Sequence, residues 1–173
     1  ASTINLIALL GAKPVFVDIH YDSLNINADL IEEKVTGKTR AIIPVHFAGT
    51  PADMDMILAM AGRHGLAVIE DAAHAVGTWY KGIHAGGFGR IAVFSFHPIK
   101  NITTGEGGMI VHNDAEMEQR LRQFRFHGLT RDAWKRYGKG GNPEYDIQTP
   151  GFKYNLTDMQ AALGLAQMSR LQE

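Results

Sequence analysis

The chain has 173 residues, enough for one domain with a hydrophobic core and too few for two ordinary domains. Hydrophobic residues make up 45%, charged residues 20%, and the net charge is −1, which together disfavour a disordered chain and one that binds nucleic acid. The absence of cysteine excludes disulfides, thiolate nucleophiles and cysteine-ligated zinc.

Hydrophobic periodicity predicts helices and strands along most of the chain. The predicted elements are, in order, a helix over 2–10, a buried strand over 14–19, a helix over 27–35, a strand over 40–46, a helix over 52–64, strands over 66–71, 91–96 and 109–112, and helices over 114–126 and 156–171. Gly11 and Gly65 are suited to end helices, and Asn27 is suited to begin one. The apolar run Leu6–Leu10 is far too short to span a membrane, and no basic segment precedes it as in a signal peptide. We therefore expect a cytoplasmic protein that does not contact membranes.

The pattern predicts an α/β fold with a largely parallel sheet. Residues 40–71 read as strand, helix and strand within about thirty residues, which is the length of a βαβ unit. Segment 127–155 breaks this pattern because it is rich in glycine and proline, namely Gly138, Gly140, Gly141, Pro143 and Pro150. A segment of that length without regular structure is usually a functional loop or a disordered one.

Polar side chains follow two of the predicted strands. Asp71 and His74 come after one strand, and Ser95, His97 and Lys100 come at and after the next. In parallel α/β sheets, ligands bind beyond the carboxyl ends of the strands. We therefore expect a carboxylate, an imidazole, a hydroxyl and a primary amine to converge at one edge of the sheet.

Each of these residues also has an ordinary structural interpretation. Lys100 beside an acid can be a structural ion pair, or it can be a nucleophile that forms Schiff bases. Asp71 is suited to cap a following helix, and His74 can be a partly buried histidine with its hydrogen bonds satisfied. Ser95 can pack within its strand. Asn155 can cap the last helix, although Thr157 and Asp158 compete for that role.

Several other signals do not predict a site. The glycines of segment 82–89 and those of Gly105–Gly108 precede strands rather than helices, so neither cluster is a dinucleotide fingerprint or a P-loop. The eight histidines are scattered, and no pair has the spacing, with a glutamate between, that zinc hydrolases show. No G-x-S-x-G elbow occurs either.

Four segments together resemble one known family. They are VHFAGTPADMD at 45–55, EDAAHA at 70–75, FSFHPIKNITTGEGG at 94–108 and FKYNLTDMQAALG at 152–164. In order and spacing they closely resemble the DegT/DnrJ/EryC1/StrS family, which consists mostly of sugar aminotransferases that use pyridoxal 5'-phosphate. The resemblance covers essentially the whole chain and is strongest to the branch that makes UDP-4-amino-4-deoxy-L-arabinose. It implies the large domain of a fold type I transferase, with helices on both faces of the sheet.

The resemblance also implies a role for five residues. Lys100 matches the lysine that holds the cofactor as a Schiff base, and Asp71 matches the acid that faces the pyridine nitrogen. His74 matches a position near the cofactor ring and its phenolic oxygen. Ser95 matches a hydroxyl that contacts the phosphate. Asn155 matches an asparagine that reaches the phosphate in the neighbouring subunit, which implies a homodimer with a shared active site.

The implied reaction takes an amino group from an amino acid, usually glutamate, to a keto group of a nucleotide-linked sugar. One alternative is a sugar dehydratase that uses the pyridoxamine form, but such relatives carry histidine in place of the lysine that Lys100 matches. Another is a catalytically silent regulatory or structural homologue.

Both ends of the sequence look cut, so we interpret residues 1–173 as part of a large domain. Family members have a preceding segment with an aromatic residue and a helix N-terminus for the cofactor, and a C-terminal small domain. Because helix N-termini are strong phosphate sites, we expect the isolated chain to bind the cofactor weakly and to transaminate little.

Overall fold

Three parallel strands organise the first half of this protein in the computed structural model, which describes residues 1–129 and 146–172. The chain divides into two units, Ala1–Ser95 and Phe96–Glu173. The first unit contains α1 (Ser2–Leu9), β1 (Ala41–Ile42), α2 (Met54–His64), β2 (Ala67–Asp71), β3 (Trp79–Tyr80), β4 (Ile83–His84) and β5 (Ile91–Ser95). The second contains β6 (Gly108–Val111), α3 (Ala115–Phe124) and α4 (Asp158–Met168).

The sheet of the first unit confirms the predicted parallel βαβ unit. β1 lies parallel to β2, with Ala41 opposite Ala67, and β2 lies parallel to β5, with Asp71 opposite Val93. β1 is shorter than predicted because Pro44 has no N–H to donate to the ladder. Pairing resumes one residue later through a bridge between Val45 and Asp71.

Helix α2 ends at Gly65 as predicted, and it begins at Met54, two residues after the predicted start. The Asp53 carboxylate accepts a hydrogen bond from the Met56 N–H at the start, and Gly65 ends the helix with φ of 62°. Its apolar side buries Met54, Ile57, Met60 and Ala61 in a core shared with Ile42 and Val68 of the strands. This packing holds the helix against the sheet. The polar residues Asp71 and Ser95 lie at the carboxyl ends of the strands, outside this core.

Two predictions for residues 14–35 are wrong. The segment predicted as a buried strand makes one isolated bridge, between Ile19 and Ile26, and its Val15 and Phe16 side chains are 58% and 67% exposed. The predicted helix over 27–35 is instead two short 3-10 turns, Ala28–Leu30 and Glu32–Lys34. The buried residues Ala28 and Ile31 are three apart, the period of a 3-10 turn rather than of a long helix. Asn27 caps the first turn as predicted.

A short hairpin, β3–β4, was not predicted. Its two strands pair with Trp79 opposite His84 and Tyr80 opposite Ile83. The connecting residues Lys81 and Gly82 both have positive φ, 49° and 85°, as a tight two-residue hairpin turn requires. The signal for this hairpin in the sequence was Gly82, which lies between Trp79–Tyr80 on one side and Ile83–His84 on the other.

In the second unit, both long helices begin at polar caps. The Asp114 side chain accepts from the N–H groups of Glu116 and Met117 at the start of α3. Thr157 and Gln160 form a reciprocal capping box at the start of α4. Much of segment 127–155, with Gly138, Gly140, Gly141 and Pro143, lies outside the described residues. Within the described ranges, no helix is long and apolar enough to cross a membrane.

Candidate functional site

Asp71 is the last residue of β2, and its carboxylate is half-buried. Its Oδ2 accepts a hydrogen bond from the Thr3 hydroxyl at 2.9 Å, and its Oδ1 accepts from the Ala73 N–H at 3.2 Å. No helix follows Asp71 in the first unit before β3, so the helix-cap interpretation of this residue is wrong. The carboxylate instead closes a turn at the end of the strand.

Asp71 and Ser95 project from the same face of the sheet. Asp71 lies opposite Val93 in the β2–β5 pair, and Ser95 is two residues further along β5. Because side chains alternate between faces along a strand, residues two apart share a face. The opposite face carries Glu70 and Phe94, which are buried. The sheet therefore brings the predicted carboxylate and hydroxyl to one side of its carboxyl edge.

His74 lies just beyond β2 and is held by the loop that follows β1, residues 47–51. The Ala48 N–H donates to His74 Nδ1 at 3.3 Å, and the Phe47 ring meets the imidazole edge to face at 5.9 Å between centroids. Ala48 and Gly49 both have positive φ, 50° and 82°, which turns the loop back toward His74. An Nδ1 that accepts a hydrogen bond leaves the proton on Nε2 in the neutral ring, so His74 can donate through Nε2.

The residue before Asp71 forms a buried polar cluster that the sequence did not predict. Glu70 is fully buried, and its Oε1 accepts hydrogen bonds from the N–H groups of Phe88 at 2.8 Å and Gly89 at 2.6 Å. Its Oε2 accepts from the Gly86 N–H at 2.7 Å and pairs with His46 Nε2 at 3.0 Å. The glycine cluster dismissed as a phosphate loop is therefore a carboxylate-binding loop. A glutamate within an apolar strand was the available signal.

His46 is as buried as Glu70 and both of its ring nitrogens are bonded. Its Nδ1 accepts from the Ala52 N–H at 3.1 Å, so the proton lies on Nε2 and is donated to Glu70. Burial by itself would raise the pKa of Glu70. The hydrogen bonds from His46 and from three backbone N–H groups outweigh burial and hold that pKa below its ordinary value. The carboxylate is accordingly a charged, fully bonded anchor within the core.

Replacing this carboxylate by an amide should destabilise the fold. We expect Glu70→Gln to lower the free energy of unfolding by about 3 kcal/mol, because the amide nitrogen would face a donor that has no other acceptor. The matched control is Glu32→Gln, whose carboxylate pairs with Arg63 and His64 on the surface, and which should change stability far less because solvent screens this pair. Urea denaturation of the full chain measures both values.

The difference in stability between the parent and Glu70→Gln should also depend on pH. The pKa of Glu70 is lower in the folded state, so its stabilisation is present above the unfolded-state value and is lost as pH falls through the folded-state value. The stability difference between the parent and Glu70→Gln should therefore shrink in acid. Equal losses in Glu70→Gln and Glu32→Gln at neutral pH would contradict the assignment of an anchoring role.

In the second unit, Lys100 lies on a closed loop, residues 96–107, here called the lysine loop. The Phe96 N–H donates to the Gly107 carbonyl at 2.8 Å, and the Phe96 carbonyl accepts from the Thr104 N–H and the Thr103 hydroxyl. These bonds close the base of the loop. Lys100 donates its own N–H to the His97 carbonyl and is half-buried. Within the part of the chain that the structure describes, its ammonium forms no hydrogen bond or ion pair.

Helix α4 packs on the lysine loop. The Gln160 side chain donates to the Glu106 carbonyl at 2.8 Å, and Gly164 lies against the Thr104 methyl group. Asn155 precedes this helix and is exposed, and its side chain forms no hydrogen bond with the described residues. The helix cap is Thr157, so the interpretation of Asn155 as the cap is wrong. Its amide is accordingly available to a ligand or a partner.

The closed base of the lysine loop leaves no room for a side chain at Gly107. A Cβ at this position would lie 2.3 Å from the Thr104 hydroxyl oxygen and 3.4 Å from Leu156. We expect Gly107→Ala to displace Thr104 and to lower stability by about 1–3 kcal/mol. The control is Gly62→Ala in α2, where a Cβ meets nothing within 4 Å and should be neutral or slightly stabilising. Thermal unfolding of both variants measures the two changes in stability. Equal losses in Gly107→Ala and Gly62→Ala would contradict the predicted clash with Thr104.

These features define the class of protein: an α/β domain whose parallel strands end in polar side chains, at the edge where sheets of this class bind ligands. The chain belongs to the DegT/DnrJ/EryC1/StrS aminotransferase family, because the family model matches residues 1–173. The match confirms the resemblance of the motifs and the fold type I class, and members of this family depend on pyridoxal phosphate.

Solved structures of the family are similar over the whole chain. Helicobacter pylori PseC, an aminotransferase involved in the biosynthesis of pseudoaminic acid, has 33% identity and a TM-score of 0.90, covering 99% of this chain and 44% of PseC. The putative sugar aminotransferase Spr1654 from Streptococcus pneumoniae, in its PMP form, has 35% identity and a TM-score of 0.87, covering 99% and 48%. DesI, solved with its TDP-sugar product, has 32% identity and a TM-score of 0.81, covering 99% and 41%. The chain thus spans less than half the length of these relatives.

The residues present fit pyridoxal phosphate. A primary amine with no partner among the described residues, Lys100, is the group needed for covalent attachment to an aldehyde. Asp71 is a half-buried carboxylate of the kind that pairs with a pyridinium nitrogen, and His74 has an Nε2–H to donate. Among residues 1–129 and 146–172, no group of three or more histidines and acids is placed to hold a metal ion.

Proposed function

We propose that this protein is a pyridoxal-phosphate-dependent aminotransferase that moves an amino group from glutamate to a keto group of a nucleotide-linked sugar. The observation that carries the proposal is the Lys100 amine, which is unpaired among the described residues and lies on a loop closed at its base. The resemblance of the surrounding motif supports its match to the family's lysine. When bound, the cofactor supplies an electron sink for negative charge at the substrate carbon that carries the amino group.

Lys100 would have two tasks. Its Nζ would hold the cofactor through the cofactor's aldehyde group. When free, the same amine would take the proton from the substrate carbon that carries the amino group. A rigid position favours both steps, and the lysine loop is held by bonds from Phe96, Thr103 and Thr104.

The residues at the carboxyl edge of the sheet would hold the cofactor. Asp71 would keep the pyridine nitrogen protonated through its negative charge, and its bonds from Thr3 and Ala73 fix the direction of the carboxylate. His74 would donate its Nε2–H near the phenolic oxygen. Ser95, on the same face of the sheet as Asp71, would donate its hydroxyl to the phosphate.

We further propose a homodimer in which Asn155 contacts the phosphate in the partner's site. The support is that its amide is exposed and is not used to cap α4, so no helix terminus depends on it. A cytoplasmic location stays a prediction from the sequence.

The relatives support the proposed acceptor class. DesI was solved with a TDP-sugar product, and PseC serves pseudoaminic acid biosynthesis. A sugar linked to a nucleotide, as in the DesI structure, is the acceptor class proposed here, and glutamate is proposed as the donor.

The test is a coupled assay of the full-length protein loaded with pyridoxal phosphate. Glutamate and a panel of nucleotide-linked keto-sugars are supplied, and both 2-oxoglutarate and the mass of the sugar product are measured. Equal amounts of 2-oxoglutarate and amino-sugar are expected, since each nitrogen lost by one substrate is gained by the other. A sugar product that has lost water without gaining nitrogen would support the dehydratase instead. No turnover of any sugar by loaded protein would support a silent homologue.

A further inference from the structure

The buried Glu70–His46 pair is connected to the candidate site by two routes. Glu70 directly precedes Asp71 in β2, and the His46 N–H donates to the Asp71 carbonyl at 3.0 Å. The His46 ring joins the two ends of the loop at 47–51, because the ring belongs to residue 46 and accepts from the Ala52 N–H. That same loop supplies the N–H bonded to His74.

We propose that Glu70 and His46 are positioning residues for the reaction, which orient the His74 imidazole through the loop at 47–51. The proposal rests on the proposed function, since an oriented His74 matters to catalysis only beside a cofactor. Neither residue reaches the exposed edge of the sheet, because both side chains are fully buried. Their influence on His74 is therefore indirect.

The hydrogen-bond directions along this route are determined step by step. The Glu70 carboxylate can only accept, and three backbone N–H groups donate to it, so His46 must present a hydrogen on Nε2. His46 Nδ1 is then free to accept from Ala52, which closes the loop. The loop in turn aims the Ala48 N–H at His74 Nδ1, which leaves the His74 proton on Nε2.

An amide in place of the carboxylate disrupts this series of hydrogen bonds. In Glu70→Gln, a side-chain N–H pointed at His46 would require an acceptor at its Nε2 and a hydrogen on its Nδ1. That hydrogen would then face the Ala52 N–H, donor against donor. The 47–51 loop would lose the bond at its base, and the Ala48 N–H would no longer be held against His74.

The first measurement reads His74 directly, without turnover. Nitrogen-15 NMR of the histidine rings in the full-length protein reports which ring nitrogen carries the proton. We expect His74 to show a single Nε2–H form in the parent and in Glu32→Gln, and a mixture of forms in Glu70→Gln. A merely structural role would lower the unfolding temperature of Glu70→Gln and leave the His74 ring signals unchanged in the folded protein. Unchanged signals would overturn the proposal.

The second measurement is a double-mutant cycle on the loaded enzyme. We expect Glu70→Gln to lower kcat per bound cofactor about tenfold when His74 is present, and less than about twofold in a His74→Ala background. Equal losses in the two backgrounds would overturn the proposal. If Glu70→Gln does not fold, His46→Gln serves instead, because its amide nitrogen can donate to Glu70 while it has no acceptor atom at the ring position of Nδ1, where Ala52 donates.

The two proposals fail separately. A parent protein that binds no cofactor through Lys100 and transfers no amine would contradict the proposed function. The ring signals of His74 in the parent and in Glu70→Gln would still decide whether Glu70 acts on His74.

Discussion

Replacing Lys100 by alanine should abolish both the absorbance band of lysine-bound pyridoxal phosphate and amine transfer. The full-length parent, mixed with the cofactor, is expected to show a visible band that bleaches when glutamate is added. In Lys100→Ala no side-chain amine remains on the lysine loop to bind the aldehyde carbon or to move the substrate proton. We expect kcat to fall by about three to four orders of magnitude.

The control for Lys100→Ala is Lys38→Ala, a surface lysine in the turn before β1. It removes the same positive charge and should leave the band and kcat unchanged. A band that persists in Lys100→Ala and still bleaches with glutamate would show that another amine holds the cofactor. That result would contradict the role of Lys100.

The second large effect is expected for Asp71→Asn. Asparagine has nearly the shape of aspartate, and its oxygen can still accept from the Ala73 N–H while the Thr3 hydroxyl reverses to accept from the amide. The fold should therefore persist. The negative charge proposed to face the pyridine nitrogen is lost, and we expect kcat to fall by about 100- to 1000-fold.

In Asp71→Asn, Lys100 should still bind the cofactor, so the absorbance of the loaded protein before glutamate is added separates binding from catalysis. The control is Asp22→Asn, an exposed carboxylate outside the site, which should retain parent activity. Asp71→Asn with parent kcat would contradict the proposed contact with the pyridine nitrogen.

The elements that position the site were largely predictable from local pattern. α2, β2 and β5 lie where periodicity predicts them, because each has an apolar period of its own. In addition, α2 has a residue suited to its start, Asp53, and one suited to its end, Gly65. The predictions fail where a segment with a strand-like pattern has no neighbouring strand to pair with over its length. The apolar residues of segment 14–19 predict a strand, but among the described residues they pair only at the bridge of Ile19 with Ile26, and Phe16 is exposed.

The glycines of segment 86–89 illustrate a second kind of failure. From the sequence they could be tested only against phosphate-binding patterns, and that test correctly excluded a nucleotide loop. What the N–H groups of Gly86, Phe88 and Gly89 do bind is Glu70, a residue sixteen or more positions earlier. No local rule predicts that pairing, because it depends on how β2 lies beside the loop.

The sequence by itself determined the family and the α/β class, because motifs and apolar periods are properties of neighbouring residues in the chain. Only the tertiary structure decided which groups are bonded and which are available. In the structure, Asp71 accepts hydrogen bonds from Thr3 and Ala73, and Thr157 rather than Asn155 caps α4. The bond from Ala48 to His74 Nδ1 places the His74 proton on Nε2. The physical reason is that hydrogen-bond direction depends on distances between residues far apart in the chain, and these exist only after the chain has folded.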